Sequence, residues 1–195
     1  MYYNITFFNQ FIDNKIFFEE SLRYLEDETF SWCVLAYIKN AIYIRKQLCS
    51  YFAHTNSNTA LSEGLNRGFN LLSFKLIKSC VEKSLKRRGV SDFEVKKISN
   101  QGFIFNIISA LVSYSRSMVL GKVDKEKSIK VRKELISTII ADHDVKNSIK
   151  TYERSKKESY WIPKLIAWRS NKLLELACTS RAKEILRIRR KRKKL

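Results

Sequence analysis

The first strongly periodic stretch of this sequence is EDETFSWCVLAYIKN, residues 26–40. Its apolar side chains recur at the i, i+3, i+4, i+7 and i+8 spacing of one helix face, and they are Phe30, Cys33, Val34, Tyr37 and Ile38. Three acidic residues, 26–28, stand at its start, where the helix dipole favours negative charge. The stretch therefore predicts an amphipathic helix that begins at the acidic residues and ends near Asn40.

A short β element is predicted directly after this helix. Residues 41–45 and 48–52 are rich in β-branched and aromatic side chains, and only Lys46 and Gln47 separate them. The polar run HTNSNT, residues 54–59, has the composition of a turn. We therefore expect two short strands within residues 41–53.

The rest of the chain shows helical periodicity. Apolar residues on one helical stripe predict a helix that ends at Gly89, and this stripe is Leu61, Leu65, Phe69, Leu72, Leu76 and Cys80. Further helices are predicted over 103–119, 127–141 and 144–157, and from Pro163 through Ala177. A last helix carries Ile185, Leu186 and Ile188 and continues into the basic C-terminal run. Only 5 Gly and 1 Pro are present, too few for a turn-rich β-sandwich. The predicted fold class is mainly α, a helical bundle with a short two-stranded β element.

Charge and aromatic content divide the chain into two parts. The whole chain carries 38 basic and 19 acidic residues, a net charge of +19. Residues 1–60 hold 5 basic and 6 acidic residues, so the remaining sequence holds 33 and 13 and carries a net +20. Fourteen of the 24 aromatic residues also lie in the first 60. We therefore predict a boundary between an aromatic part, 1–58, and a basic helical part, 59–195.

Apolar stretches and cysteines bear on the cellular location. The longest strongly apolar stretches, 33–38 and 103–112, are shorter than the roughly 20 residues of a transmembrane helix. The first ten residues lack the basic leader of a secretory signal. The four cysteines are far apart in sequence and form no CxxC pair. We therefore expect a reduced, cytoplasmic protein.

The order of motifs from Asn14 to Thr59 resembles the C-terminal part of the catalytic domain of family-2 glycosyltransferases. Those enzymes share an apolar n-x-I-x-F segment, an E-D pair that opens a helix, an I-Y-x-I strand, an aromatic strand and an N-S turn. The corresponding residues here are Asn14–Phe18, Glu26-Asp27, Ile42–Ile44, Ser50–Phe52 and Asn56–Asn58. The resemblance implies transfer of a sugar from a nucleotide sugar to a hydroxyl of a surface polysaccharide or lipid-linked glycan acceptor.

Catalytic roles follow from this resemblance. It implies that Asp27 is the general base that takes the proton of the acceptor hydroxyl, with Glu26 as its orienting neighbour. The alternative is that Asp27 caps the helix while its acidic neighbours complement the helix dipole. The basic residue usual after the aromatic strand is replaced by Ala53, and the adjacent His54 is the candidate to approach the donor diphosphate or its metal. A solvated loop histidine is the alternative there.

The donor-binding half of such enzymes has no counterpart in this sequence. In the family it precedes the E-D helix, and its D-x-D motif places Mg²⁺ or Mn²⁺ on the diphosphate. The D-x-D at residues 142–144 follows the E-D pair instead, so we interpret it as a coincidence or a helix-terminus pair. We therefore expect a truncated enzyme that is inactive alone and requires a partner chain with the donor-binding half.

The basic part has three interpretations. Seven of the last nine residues are basic, and the run at 189–194 is Arg189, Arg190, Lys191, Arg192, Lys193 and Lys194. This run could contact anionic lipid headgroups at the inner face of the membrane. Nucleic-acid binding is disfavoured because no recognition motif accompanies the charge, and a merely solvated surface is the third interpretation. The competing function is thus a non-enzymatic basic helical protein that binds an anionic membrane surface or nucleic acid.

Overall fold

A computed structural model describes residues 26–38, 42, 45–46, 71–121, 125–155 and 158–192 of the chain. These residues form seven α-helices and one short 3₁₀-helix, Ile149–Thr151. The α-helices are α1 (Glu26–Leu35), α2 (Leu71–Arg87), α3 (Asp92–Val119), α4 (Lys125–Ala141), α5 (His143–Ser148), α6 (Trp161–Ala167) and α7 (Asn171–Arg192). The mainly helical fold class is therefore confirmed. The predicted strands at 41–53 lie almost wholly outside the described residues, which contain no strand.

The chain divides into two compact units. One comprises Met1–Tyr51 and Leu72–Ser99, and the other comprises Phe52–Leu71 and Asn100–Leu195. Helix α3 contributes its first eight residues to the first unit and the remainder to the second. The boundary predicted at residue 58 falls outside the described residues and stays a prediction.

In the first unit, helix α1 buries the face that its sequence predicts. Val34 is buried, and the partly buried residues packed against it are Phe30, Cys33, Tyr37 and Ile38. The helix itself ends at Leu35 and a turn follows, so the predicted end near Asn40 is about one helical turn too late. The shorter helix follows from contacts that Arg88 makes with the last carbonyl groups, as described below.

Helices α2 and α3 are joined by a sharp turn. Gly89 has φ of 74°, its N–H donates to the carbonyl of Lys86, and the N–H of Val90 donates to the carbonyl of Leu85. These two bonds are the Schellman arrangement that ends many helices at glycine, which confirms the predicted end at Gly89. Ser91 then caps the start of helix α3, because its hydroxyl accepts from the N–H of Glu94 and donates to the Glu94 carboxylate.

The second unit has an aliphatic core. Helix α7 packs against α4 and α6, while α5 and the 3₁₀-helix connect them. The side chains that are fully buried here are mostly β-branched or leucine, and they include Ile104, Ile107, Leu111, Ile136, Ile139, Val145, Ile162 and Leu174. Burial of each such side chain contributes about 1.5–3 kcal/mol, so this core supplies most of the stability of the unit.

Two predicted helix boundaries in the second unit are wrong. The helix predicted over 144–157 ends much earlier, since α5 and the 3₁₀-helix stop at Thr151 and residues 152–155 are irregular. The helix predicted from Pro163 onward is interrupted at Arg169, which has φ of 56°. The N–H of Arg169 donates to Ile166 and that of Ser170 to Leu165, so an arginine takes the position that glycine usually holds in a Schellman turn.

Helix α3 is the one described helix that is long and apolar enough to cross a membrane. The prediction from apolar stretches alone did not find it, because polar side chains interrupt the run. However, 44% of the apolar window is buried inside the protein, and Ile104 and Ile107 are fully buried. A buried core helix meets the same criteria of length and composition, so these criteria do not assign a membrane span.

Candidate functional site

The E-D pair lies at the first turn of α1. The helix begins at Glu26, and Asp27 is its second residue. The Asp27 side chain is exposed, and its Oδ1 accepts a hydrogen bond of 2.8 Å from the backbone N–H of Glu28. Asp27 is therefore a solvent-facing carboxylate with one oxygen held by the backbone.

The other residues predicted for this site are outside the described part of the chain. No side-chain position is described for Glu26, and His54 belongs to the stretch 51–70 that the structure does not describe. The same holds for the predicted aromatic strand and the N-S turn. The grouping of Asp27, Glu26 and His54 stays a prediction.

Side chains of α2 and of the turn after it hold α1 by its backbone carbonyls. The Ser84 hydroxyl donates to the Trp32 carbonyl at 2.8 Å. Arg88 Nη1 donates to the carbonyls of Leu35 at 2.7 Å and Ile38 at 3.0 Å, which satisfies carbonyl groups that a helix end leaves unpaired. A cation near a helix C-terminus also complements its dipole. These contacts fix the C-terminal end of the helix whose first turn carries Asp27.

An aromatic contact completes this attachment. The Arg87 guanidinium lies over the Tyr37 ring, 3.9 Å from its centroid, and also donates to the Tyr37 hydroxyl. Cation–π contacts of this kind contribute about 0.5–1 kcal/mol at exposed sites. Arg87, the last residue of α2, and Arg88, which follows it, thus contact α1 and the turn after α1, a role that the sequence did not indicate.

The two half-buried cysteines of the first unit are brought together by the same helix pair. Cys33 of α1 and Cys80 of α2 form a thiol–thiol hydrogen bond. The Cys80 sulfur, together with partial burial, raises the pKa of Cys33 well above the ordinary thiol range. Forty-six residues separate the two positions in the sequence, so no local motif signals the pair. Only the packing of α1 on α2 produces it.

The basic tail continues helix α7. Arg189 and Arg190 are exposed on its last turns, and the helix extends to Arg192. Lys191 and Arg192 lie within the helix but their side chains are not described, and Lys193 and Lys194 are outside the described residues. About two turns earlier, Arg181 pairs with Glu184 at 2.6 Å. The helix therefore presents at least two adjacent exposed guanidinium groups near its C-terminus.

The D-x-D at residues 142–144 is a helix terminus. Asp142 is the N-cap of α5, and its side chain accepts from the N–H groups of Asp144 and Val145. This confirms the interpretation as a helix-terminus pair. Among the residues that the structure describes, no three His, Cys, Asp or Glu side chains are grouped to hold a metal ion.

A polar cleft of about 380 Å³ lies beside an aromatic pair in the second unit, and the sequence did not indicate it. It is lined by residues of α7 and of the segment before α6, among them Glu158, Tyr160, Trp161 and Arg181. The Tyr160 and Trp161 rings meet edge to face, with centroids 5.3 Å apart. Lys164 bonds to the Tyr160 hydroxyl and lowers the pKa of Tyr160. Glu158 accepts from the Tyr152 hydroxyl, and Arg181 pairs with Glu184, so the charged side chains that line this cleft already have partners.

Comparison with known proteins adds no assignment. No protein-family model, curated protein or solved structure matches this chain. The resemblance to family-2 glycosyltransferases thus depends on the residues quoted above. The geometry at Asp27 and along α7 is the structural basis for a functional proposal.

Proposed function

We propose that this chain carries the acceptor side of a nucleotide-sugar-dependent glycosyltransferase, with Asp27 as its general base. The observation that carries the proposal is the position of Asp27, exposed in the first turn of α1 with Oδ1 held by the Glu28 amide. A general base must be fixed in place and open to an incoming hydroxyl. The amide contact meets the first condition, and exposure meets the second.

The proposed reaction is displacement at an anomeric carbon. Asp27 takes the proton of the acceptor hydroxyl while its oxygen bonds to the anomeric carbon of the donor sugar. The bond from that carbon to the nucleotide diphosphate breaks, and the diphosphate leaves with the electron pair. Attack opposite the leaving group inverts the configuration of the sugar. Glu26, the preceding residue, is proposed to orient the base.

A second chain is proposed to supply the donor side. The described residues contain no cluster of metal ligands, so we assign no step on this chain to Mg²⁺ or Mn²⁺. The donor-binding half of the parent enzyme would hold the nucleotide sugar and its divalent cation, and would stabilise the leaving diphosphate. Because such electrostatic stabilisation is usually the largest catalytic contribution, we expect no sugar transfer by this chain alone.

A complementation assay tests the proposal. The chain is mixed with the separately produced donor-binding half of a family-2 glycosyltransferase, and release of nucleoside diphosphate from a panel of nucleotide sugars is measured with glycan acceptors. We expect Asp27→Asn to lower the complemented rate by about 10²–10⁴-fold, the usual contribution of a general base.

Asp92→Asn is the matched control for this assay. Asp92 is also an exposed first-turn aspartate, and its pair with Lys86 at 3.1 Å is exposed to solvent. This variant should retain the wild-type rate. Equal rates for the two variants, or sugar transfer by the purified chain alone, would show that the proposal is wrong.

A second candidate function, attachment to anionic lipid at the inner face of the membrane, is favoured by the basic end of α7. Arg189 and Arg190 are exposed on one helix, and the basic run continues beyond them in the sequence. Each Lys or Arg near an anionic leaflet contributes about 1 kcal/mol. Attachment of this kind is compatible with a lipid-linked glycan acceptor and with a cytoplasmic, peripheral protein.

Vesicle sedimentation tests this attachment. The chain should bind phosphatidylcholine vesicles that contain phosphatidylserine and should not bind phosphatidylcholine alone, with binding lost as salt rises. Arg189→Gln with Arg190→Gln should weaken binding about tenfold or more. The control pair Lys146→Gln with Lys150→Gln removes two exposed charges elsewhere in the same unit and should weaken it less. Tighter salt-dependent binding to nucleic acid than to these vesicles would favour the other anionic partner instead.

A further inference from the structure

The strongest feature outside the proposed site is the contact between helices α1 and α2. In this contact, Ser84 of α2 meets Trp32 of α1, and Arg88, directly after α2, meets Leu35 and Ile38. Cys80 lies about one turn before Ser84 on α2, and Cys33 is next to Trp32 on α1. The two cysteines therefore lie within the same contact between the helices, where their side chains form a hydrogen bond.

We propose that Cys33 and Cys80 form a reversible disulfide that locks α1 onto α2 when the surroundings become oxidising. The two thiols already form a side-chain hydrogen bond, and both are half-buried, so small oxidants can reach them. The hydrogen bonds that Ser84 and Arg88 donate to α1 and the turn after it hold the two helices together before any covalent bond forms. This inference does not depend on the proposed glycosyltransferase function.

The chemistry is thiol–disulfide exchange with a small disulfide such as oxidised glutathione. The thiolate of one cysteine attacks a glutathione sulfur, forms a mixed disulfide and releases one reduced glutathione. The thiolate of the other cysteine then attacks the protein sulfur of that mixed disulfide and releases the second. In total, the two protein thiols lose two protons and two electrons, one glutathione disulfide is reduced to two thiols, and one S–S bond replaces another.

The other two cysteines differ from this pair. Cys178 is 1% exposed in the core of the second unit, so an oxidant in solution does not reach its sulfur and the thiol is inert in the folded protein. Cys49 lies outside the described residues, so it serves in the test as a competing partner whose pairing would count against the proposal.

The test uses the full chain, reduced, desalted and incubated with oxidised glutathione. We expect the thiol titre to fall by two, the intact mass to fall by two hydrogens, and an unreduced tryptic digest to contain a peptide pair linked through Cys33 and Cys80. Cys33→Ser and Cys80→Ser should each abolish this cross-link, and Cys49→Ser and Cys178→Ser should preserve it. Far-UV circular dichroism establishes that each variant retains its helices.

Two further measurements make the test specific. In urea the same oxidant should give a mixture of cysteine pairs, because selectivity for Cys33 and Cys80 depends on the fold. In the native chain, closure should accelerate about tenfold per pH unit from neutral to mildly alkaline pH, since the reacting thiols are mostly protonated there. Cross-links that involve mainly Cys49 or Cys178, or glutathione adducts that never close to an internal disulfide, would overturn the proposal.

Discussion

The ion pair between Arg132 of α4 and Glu175 of α7 gives a quantitative test of how the second unit is held together. The side chains of Arg132 and Glu175 are 10% and 21% exposed, and the guanidinium also donates to the Thr179 hydroxyl at 3.0 Å. Arg132 Nε is buried and has no hydrogen-bond partner among the described residues. The perturbation that we consider is Glu175→Gln, which removes the charge with little change of shape.

The expected loss of stability follows from the burial of Arg132. Removal of one partner of a buried ion pair lowers the free energy of unfolding by about 3–5 kcal/mol, because the remaining charge is left without compensation. Glu175 retains some contact with water, which places Glu175→Gln near the lower end, at about 3 kcal/mol. That is a large share of the roughly 5–15 kcal/mol that a domain of ordinary stability has in total.

Replacing both partners should restore most of this loss. The double variant Arg132→Met with Glu175→Leu removes both desolvated charges and the unpartnered Nε. Well-packed apolar replacements of buried ion pairs are often neutral or stabilising. We therefore expect its free energy of unfolding to lie within about 1 kcal/mol of the wild type.

Urea unfolding followed by far-UV circular dichroism measures these differences. Glu184→Gln is the matched control, because Glu184 is also on α7 and pairs with Arg181, but its side chain is 56% exposed. Exposed pairs contribute about 0.2–1 kcal/mol, so this control should change stability little. If Glu175→Gln costs no more than Glu184→Gln, or if the double variant loses as much as the single one, the reasoning from burial is refuted.

Two further predictions concern Arg169 and Cys178. Arg169→Gly should raise the free energy of unfolding by about 1 kcal/mol in urea titration, because only glycine adopts positive φ without a steric cost, whereas the control Lys172→Gly inside α7 should lower it. The ordinary pKa of a cysteine thiol is about 9.0, and burial raises the pKa of Cys178 to about 12. Burial of the neutral thiol therefore contributes its full share of stability to the folded state below about pH 9. As pH rises from about 9 toward 12, unfolding measurements should show wild-type stability falling relative to Cys178→Ala by about 1.4 kcal/mol per pH unit, and parallel curves would contradict this.

The helix ends show which signals the sequence carries. Gly89 marks the end of α2 because a glycine with positive φ is the usual residue there, and the sequence predicts it correctly. Arg169 makes the same turn with the same two hydrogen bonds, yet arginine gives no such signal, so α6 and the first part of α7 were predicted as one helix. The S-x-x-E sequence of Ser91 and Glu94 was a readable helix-start signal that the prediction, which began this helix at residue 103, did not use.

Helix α2 buries a different face from the one predicted. The predicted apolar row includes Leu72, but that side chain is 58% exposed, and the buried residues include Phe74, Ile77 and Val81. Both sets of residues recur at steps of three and four, the spacing of one helix face. Periodicity alone therefore does not decide which of the two apolar faces is buried.

At the candidate site, too, the sequence predicts the local features but not the tertiary contacts. Acidic residues at a helix start are a local feature, and Asp27 lies where the sequence places it, in the first turn of α1. The contacts that anchor this helix join residues about fifty positions apart. The acceptors in these contacts are backbone carbonyls, which every residue possesses. No side-chain pattern in α1 therefore predicts the contacts.

The anchoring of α1 also connects the proposed base with the proposed disulfide. The hydrogen bonds from Ser84, Arg87 and Arg88 reach Trp32 and residues after it, whereas Asp27 lies at the opposite end of α1. A covalent bond at Cys33 would be added close to these contacts. It would restrict the angle of the helix at its anchored end, and the displacement that it suppresses is greatest at the far end, where the proposed base Asp27 lies.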